Sequence, residues 1–503
     1  MAKAPQPARK SYFFGKGYRD LGNTIKGAWS GNFASIRKYK AGLQNLHSRN
    51  WAGKIFFAIV NVLAMLAVLV CGSAITAAMT LANILVLLVF MACIYLGFTA
   101  IWLLDRIYLV TRKIFAACDR CKNSSLIPTY LCPGCGEKHT NLTPGVYGIL
   151  RRTCDCGQKL PTAFFNGRKD LPGICPHCLE NEGVVHYLNS AETRPLCIPV
   201  VGARSVGKTA FITAFSKEFI DTVAPAKGIA VQLYSDEKER IYRQITADYT
   251  AGSTRMTERP QDNRSVSSVS FSFFAGHPSF KPDRLVHIYD IAGEVFTDNT
   301  ETEVQKQYEY CAGIVFVVDP FSIPTVRAEY EELLTQADIA GIGGADLDGV
   351  IDAFMEKLRQ VTGLSDEKMS RVPLAVVINK IDSAGLEGDI GARAVGKRMT
   401  AEPDKYIDFF DTQDYLCRKF LRDNGMAGFL NRIDLRFKRN RFFACSAIGH
   451  TRDAGQYRPV GVLPPMEWLF RQADSAMGRV WNDHTFTKNP VDPNQNKTAV
   501  KTH

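Results

Sequence analysis

The hydrophobic pattern divides the chain into regions of different character. Residues 1–54 mix basic, aromatic and glycine positions, whereas residues 55–104 contain no Asp, Glu, Lys, Arg or His. After a cysteine-rich stretch, residues 194–481 alternate short apolar segments with longer amphipathic ones, which predicts a mostly parallel sheet covered by helices. Residues 482–503 are polar and rich in Pro and Asn, and we expect a disordered tail there. A chain of 503 residues is long enough for two or three domains.

The apolar run is too long for a single membrane crossing. One crossing takes roughly 20 helical residues, and residues 55–104 would extend about 75 Å as a helix. The small and polar stretch 71–80 indicates a turn, so we predict two transmembrane helices near 55–74 and 81–104. The alternative is a pair of buried helices in a soluble core, which rarely lack charge over such a length. The run starts too late and is too long for a signal peptide.

The charges beside the apolar run predict its orientation. Residues 1–54 contain eleven Lys and Arg against the single acid Asp20, so this basic arm holds ten of the eleven net positive charges. Arg106, Arg112 and Lys113 follow the second predicted helix. These charges predict a multi-pass protein of the inner (cytoplasmic) membrane with both ends in the cytoplasm. The arm either lies on an anionic leaflet or is a solvated tail. The nearly neutral remainder of the chain argues against nucleic acid as a partner.

Residues 115–182 form a cysteine-rich module. It contains eight of the fourteen cysteines, in closely spaced pairs: Cys118 and Cys121, Cys132 and Cys135, Cys154 and Cys156, and Cys175 and Cys178. Short spacers let both thiolates of a pair reach one ion, and Zn²⁺ takes four such ligands, so the module predicts two structural zinc sites. A redox dithiol relay and spare thiols are the alternatives. The sequence leaves open whether neighbouring or interleaved pairs share an ion.

A glycine-rich turn between a buried strand and a helix carries the first candidate chemistry of the C-terminal region. It fits the pattern G-x-x-x-x-G-K-[ST], in which backbone N–H groups surround a β-phosphate at a helix N-terminus. We expect Lys208 to reach the β- and γ-phosphates and Thr209 to bind Mg²⁺. The turn consists of Gly202, Ala203, Arg204, Ser205, Val206, Gly207, Lys208 and Thr209.

A second segment supplies a candidate magnesium ligand. Residues 284–294 read as a strand that ends in Asp290-x-x-Gly293. We expect Asp290 to hold Mg²⁺ through a water molecule and the Gly293 N–H to sense the γ-phosphate.

Two further strand ends carry residues that suit a guanine base. Residues 373–382 end in Asn379-Lys380-Ile381-Asp382, and residues 441–449 contain Ser446 and Ala447 after a strand. The Asp382 carboxylate can accept two hydrogen bonds from guanine, and adenine lacks both donors. We expect Lys380 to pack on the base and the Ser446–Ala447 backbone to contact the guanine carbonyl.

Four such segments in this order resemble the translation-factor-like branch of P-loop GTPases, to which Ras-like proteins belong, over residues 194–481. The resemblance implies an α/β domain with an antiparallel hairpin of 265–274 and 284–290, here preceded by a two-helix transmembrane hairpin and a zinc module. With the cysteine pairs and the stretch PGVYGILRRTCDCGQKLPT, the chain looks most like the predicted bacterial double-GTPase family. That resemblance implies Mg²⁺-dependent GTP hydrolysis to GDP. It also implies protein partners such as a second GTPase, an AAA+ ATPase or a von Willebrand A-domain protein.

The sequence departs from the Ras-like pattern at several positions. Glu294 stands where Ras-like enzymes carry a water-orienting Gln, and the switch-I threonine is either Thr257, which we prefer as nearer to the strand, or Thr254. Arg204 and Arg255 are candidate arginine fingers, or they face solvent or a partner. Two functions therefore remain open. One is a membrane-anchored switch that hydrolyses GTP, and the other is a GTP-binding scaffold with little hydrolysis.

Overall fold

The computed structural model describes residues 6–14, 16–45, 50–118, 120–121, 123–188, 192–253, 270–290, 311–336, 339, 341–342, 347–362, 365–449 and 456–483. The expected roles of Thr254, Arg255, Thr257, Gly293 and Glu294 fall on residues outside these ranges, as do residues 484–503 of the expected tail 482–503. The chain divides into two units. The first comprises residues 1–112 and 126–176, and the second residues 113–125 and 177–503.

The strands of the described residues are β1 (Ala8–Arg9), β2 (Ala116–Ala117), β3 (Ser124–Ser125), β4 (Thr129–Leu131), β5 (Lys138–His139), β6 (Arg151–Cys154), β7 (Lys159–Pro161), β8 (Gly173–Ile174), β9 (Tyr187–Leu188), β10 (Arg194–Gly202), β11 (Ala230–Leu233), β12 (Ser270–Gly276), β13 (Arg284–Asp290), β14 (Ile314–Val318), β15 (Leu374–Ile378) and β16 (Asn440–Ala444).

The α-helices are α1 (Lys16–Gln44), α2 (Trp51–Ala67), α3 (Ser73–Thr111), α4 (Pro176–Glu182), α5 (Lys208–Glu218), α6 (Ala224–Ala226), α7 (Asp236–Thr250), α8 (Pro324–Glu329), α9 (Leu347–Thr362), α10 (Asp366–Met369), α11 (Glu387–Ile390), α12 (Ala392–Ala401), α13 (Phe409–Asp423), α14 (Ala427–Arg436), α15 (Leu463–Ala473) and α16 (Ser475–Val480). Val68–Gly72 and Phe219–Val223 are π-helical, and short 3₁₀ turns lie at Tyr12–Phe14, Phe164–Asn166, Arg168–Asp170, Pro320–Ser322, Glu331–Leu333 and Ser383–Gly385.

The second unit contains a seven-stranded sheet in the order β11-β12-β13-β10-β14-β15-β16. The strands from β13 to β16 in this order are parallel, while β11 and β12 are antiparallel to their neighbours. The expected hairpin is present in its described residues, with Phe271 opposite Ile288. Because β10, β13, β15 and β16 run in one direction, the segments that follow them meet at the carboxyl edge of the sheet, where ligands bind in open α/β sheets.

The parallel strands are buried on both faces. In β14, Val315 and Val317 join one hydrophobic cluster, whereas Ile314, Phe316 and Val318 join the other. Such strands read as continuous apolar runs because helices cover both sides of the sheet. The sheet therefore forms a rigid base for the loops at its carboxyl edge.

The apolar run of the first unit forms one helix, and the expected pair of helices with a turn at 71–80 is wrong. Residues 51–111 are helical throughout, with Val68–Gly72 as a π-helical segment inside the run. The small polar residues that indicated a turn are satisfied within the helix. The Thr76 and Thr80 hydroxyls donate to the carbonyls of Gly72 and Thr76 at 2.8 and 2.7 Å. Trp51–Thr111 is the one stretch of described chain that is long and apolar enough to cross a membrane.

Part of the expected basic arm is a helix, α1, that runs antiparallel along this apolar helix. The Asn32 side chain donates to the Gly72 carbonyl at 3.1 Å and to the Thr76 hydroxyl at 2.7 Å. The ring of Phe14, just before α1, lies 5.5 Å from the ring of Tyr95 at 85°. Inward positions recur about every 3.5 residues in α1, as in a helical pair, and the glycines and basic residues masked this period in the sequence.

Both ends of this helical pair are attached to the cysteine module. At the N-terminal end, β1 pairs with β6, with Ala8 opposite Cys154. At the C-terminal end, the Asp105 carboxylate forms an ion pair of 2.9 Å with Arg168, and both side chains are buried. The same carboxylate accepts a hydrogen bond of 2.8 Å from the Phe164 N–H. The pair therefore leaves the module and returns to it.

Candidate nucleotide site and cysteine centres

The glycine-rich turn connects β10 to α5 at the carboxyl edge of the sheet. Gly207 lies directly before α5 with φ 88°, a conformation that favours glycine. A Cβ atom at Gly207 would lie 2.4 Å from the Asn379 Nδ2 atom, so no larger residue fits. The Lys208 ammonium donates to the carbonyls of Gly202 and Ala203 at 3.0 and 2.8 Å and thus lies across the turn. This places a buried cation and the first N–H groups of a helix together, which suits a phosphate.

A hydroxyl and a carboxylate meet beside this turn. The Thr209 Oγ1 atom, in the first turn of α5, donates a hydrogen bond of 2.5 Å to Oδ2 of Asp290. Asp290 is the last residue of β13 and is fully buried. Mg²⁺ prefers such oxygen ligands together with phosphate oxygens and water, so the donor set fits this ion.

Asn379 connects three loops at the carboxyl edge. Its side-chain amide donates to the Val206 carbonyl at 2.9 Å, and its Oδ1 atom accepts the Ala447 N–H at 3.0 Å. Only 2% of the side chain is exposed. A single amide thus holds the glycine-rich turn and the Ser446–Ala447 loop in register, although they lie more than two hundred residues apart in the sequence.

Asp382 and Ser446, the residues expected to face a guanine base, are joined by a hydrogen bond. The Ser446 hydroxyl donates to the Asp382 carboxylate and accepts the Gly449 N–H at 2.7 Å. Ser446 is buried, whereas Asp382 is half-exposed. The arrangement leaves a carboxylate at the rim of the site whose position is fixed by a neighbouring hydroxyl.

Lys380 makes an ion pair that the sequence did not indicate. Its ammonium lies 2.6 Å from the Asp319 carboxylate and donates to the Gly341 carbonyl at 2.8 Å. Asp319 follows β14 at the same edge and is fully buried. An acid directly after a buried strand, in IVFVVDP, was the signal that could have revealed Asp319. Arg204 lies in the glycine-rich turn as an exposed residue.

The eight cysteines form two sets of four, and the structure resolves their pairing. The first set is Cys118, Cys121, Cys175 and Cys178, and the second is Cys132, Cys135, Cys154 and Cys156. Each set has its four Sγ atoms within 4.8 Å of one another. The first and last pairs of the sequence therefore combine around the two middle pairs.

The spacing of the sulfur atoms fits tetrahedral zinc. The Cys118–Cys178 Sγ atoms are 3.8 Å apart, and the Cys132–Cys156 and Cys135–Cys154 Sγ atoms are 3.6 Å apart. A tetrahedron with Zn–S bonds of about 2.3 Å has sulfur atoms about 3.8 Å apart. A disulfide would need about 2.05 Å, and none of these eight described cysteines forms one. In the second set Cys135 and Cys156 are exposed, whereas three members of the first set are buried.

No family model matches the sequence, and no curated protein matches it. Among solved structures, the chain is similar to the crystal structure of the S. cerevisiae Ski7 GTPase-like domain bound to GTP. The identity is 11% and the TM-score is 0.27 over 56% of this chain. The match spans about half of the Ski7 structure, 50% of that chain. This likeness is too low to assign a fold or a site, so both rest on the strands, loops and contacts of the chain itself.

Proposed function

We propose that the carboxyl edge of the seven-stranded sheet binds GTP with Mg²⁺. The observation that carries the proposal is the Asn379 side chain, which joins the glycine-rich turn to the Ser446–Ala447 loop at 2.9 and 3.0 Å. A phosphate-binding turn and a base-reading loop must be held at a fixed separation to span one nucleotide. The backbone of Gly202–Gly207 binds the phosphates, Thr209 and Asp290 hold Mg²⁺, and Asp382 reads the guanine.

The bound GTP is hydrolysed to GDP, and the chain acts as a molecular switch. Lys208 stabilises the negative charge on the transferring phosphoryl group. Gly293 senses the γ-phosphate, Glu294 orients water and Arg204 is a candidate finger, while Thr257 would close over the Mg²⁺. The alternative function is a GTP-binding scaffold without appreciable turnover.

The test is GTP turnover by the full-length protein in detergent, with and without Mg²⁺, compared with Lys208→Ala. Turnover that depends on both Mg²⁺ and Lys208 supports the switch. Turnover equal to that of the variant, with GTP still bound by the unaltered chain, leaves the scaffold as the function. No binding of GTP by the unaltered chain rejects both.

The apolar helix anchors the protein in the inner (cytoplasmic) membrane, and α1 enters the bilayer with it. Support comes from the attachment of both ends of the helical pair to the cysteine module, at Ala8 and at Asp105. α1 is too polar to cross by itself, so it crosses as the packed partner of the apolar helix, which places the module and the GTP-binding domain in the cytoplasm. The apolar run exceeds one crossing of roughly 20 residues, so only part of it lies in the hydrocarbon core.

Two zinc ions complete the cysteine sets in a structural role, since four thiolates leave no open coordination position. When bound, they supply the folding energy of a module with a small core. We further propose a place in a multi-protein bacterial system of the double-GTPase kind, with a second GTPase, an AAA+ ATPase or a von Willebrand A-domain protein as partners. Co-purification of the full-length protein with and without GTP tests for such partners.

A further inference from the structure

Helix α7 holds the Ser446–Ala447 loop from a side that the sequence analysis did not consider. It lies in the chain between α5 and β12, and its N-cap Ser235 accepts a hydrogen bond of 3.3 Å from the Lys238 N–H. Tyr249 is in its last turn, and only 3% of its side chain is exposed. The helix therefore brings a buried phenol to the base-reading loop.

The Tyr249 hydroxyl donates a hydrogen bond to the Ala447 carbonyl. The ring is fixed by an edge-to-face contact with Tyr457, with centroids 5.0 Å apart and planes at 62°. Burial raises the pKa of Tyr249, so the phenol keeps its proton and remains a donor at neutral pH. Both backbone groups of Ala447 are thus hydrogen-bonded: its N–H donates to Asn379, and its carbonyl accepts from Tyr249.

We propose that Tyr249 is a positioning residue for recognition of the purine 6-carbonyl. By fixing Ala447, it holds the backbone of the Ser446–Ala447 loop in one orientation toward the base. Because the Ala447 N–H donates to Asn379 and the Ser446 N–H donates to Val460, the donor assigned to the 6-carbonyl is the next N–H of the loop, that of Ile448. The inference rests on the proposed GTP site and names a specificity residue for it. A 6-carbonyl is present in guanine and hypoxanthine and absent from 2-aminopurine, so these bases separate the role of the loop from the rest of the site.

Tyr242 provides a matched control on the same helix. Its hydroxyl is buried and has no hydrogen-bond partner among the described residues. Its ring also makes an edge-to-face contact, with Phe271 at 5.7 Å and 86°. Tyr242→Phe and Tyr249→Phe therefore remove the same atom from similar surroundings, and only the second change removes a contact with the base-reading loop.

The experiment measures the affinities of the full-length protein in detergent for GTP, ITP and 2-aminopurine riboside triphosphate. Tyr249→Phe should weaken the affinity for GTP and ITP by ~3- to 10-fold, which is the effect of one neutral hydrogen bond. The affinity for 2-aminopurine riboside triphosphate should change by less than about 2-fold. Tyr242→Phe should change none of the three. Equal weakening of all three nucleotides by Tyr249→Phe, or no change, would overturn the inference. Failure of the unaltered chain to bind GTP would instead reject the proposed function.

Discussion

At the scale of single residues, Asp382 determines which base the proposed site accepts. Its carboxylate can take two hydrogen bonds from guanine, and the Ser446 hydroxyl holds it in place. Asp382→Asn turns one acceptor into a donor, which matches the 2-oxo group of xanthine. We expect the variant to lose GTP affinity by at least ~100-fold and to gain affinity for xanthosine triphosphate, since a mismatched donor or acceptor that faces the bound base is costly. Competition binding with both nucleotides measures the change, and retained GTP preference would contradict the assignment.

Asp105 and Arg168 form a buried ion pair whose loss should lower the stability of the fold. Removing one partner leaves an uncompensated buried charge, which costs about 3–5 kcal/mol. Asp105→Asn should therefore lower the unfolding temperature of the cysteine module and its resistance to protease, with GTP binding by the second unit unchanged. Asp170→Asn is the control, because the Asp170 partner, Lys169, is exposed. A similar small effect of both substitutions would show that the pair contributes little.

Glu218, at the end of α5, makes stability depend on pH. Burial raises its pKa from 4.5 to about 7, and Lys217 only partly offsets this. Below pH 4.5 the group is protonated in the folded and unfolded chains. As the pH rises from 4.5 to about 7, the unfolded chain releases the proton while the folded chain keeps it, so stability falls. Melting temperatures of the unaltered protein and Glu218→Gln should therefore diverge across this window, with the variant more stable above it. Parallel curves would contradict the effect.

At the scale of elements, the two cysteine sets should differ in how tightly they keep a metal. The second set exposes Cys135 and Cys156, whereas the first set buries Cys118, Cys175 and Cys178. A chelator reaches an exposed ion sooner, so zinc should leave in two phases of equal amplitude. Cys156→Ser should remove the fast phase, and Cys178→Ser the slow one. Release in one phase, measured with a colorimetric chelator, would contradict the difference.

The elements also show what a sequence alone predicts. Strand ends with Gly, Asp and Asn-Lys-x-Asp are local signals, so the segments around Gly202, Asp290 and Asn379 could be placed at one edge of the sheet. Pairing of the cysteine sets and the antiparallel course of α1 depend on contacts between distant residues, which no local pattern encodes. The prediction of a turn at 71–80 was wrong because Ser and Thr are common in loops but also fit in a helix. There their hydroxyls donate hydrogen bonds to carbonyls four residues earlier.

At the scale of the whole molecule, the course of the chain constrains its topology. The helical pair starts and ends at the cysteine module, through β1 at Ala8 and through Asp105. If the apolar helix crosses the bilayer, Asn45, at the C-terminal end of α1, must therefore lie on the far side. A basic arm that stays in the cytoplasm, as the composition indicated, would place Asn45 on the near side. The two arrangements differ in the accessibility of one short region.

Substituted cysteines in sealed right-side-out vesicles distinguish these arrangements. Asn45→Cys, at the end of α1, should react with a membrane-impermeant maleimide from outside. Leu435→Cys is the control on the second unit, where Leu435 is 85% exposed. It should react only after permeabilisation, and the unaltered chain gives the background from native cysteines. Protection of Asn45→Cys until permeabilisation would return α1 to the cytoplasm, and outside labelling of Leu435→Cys would reverse the orientation. Asn32→Leu removes the hydrogen bonds that join α1 to Gly72 and Thr76 of the apolar helix. The attachments to the cysteine module at Ala8 and Asp105 remain, so the labelling side should be unchanged.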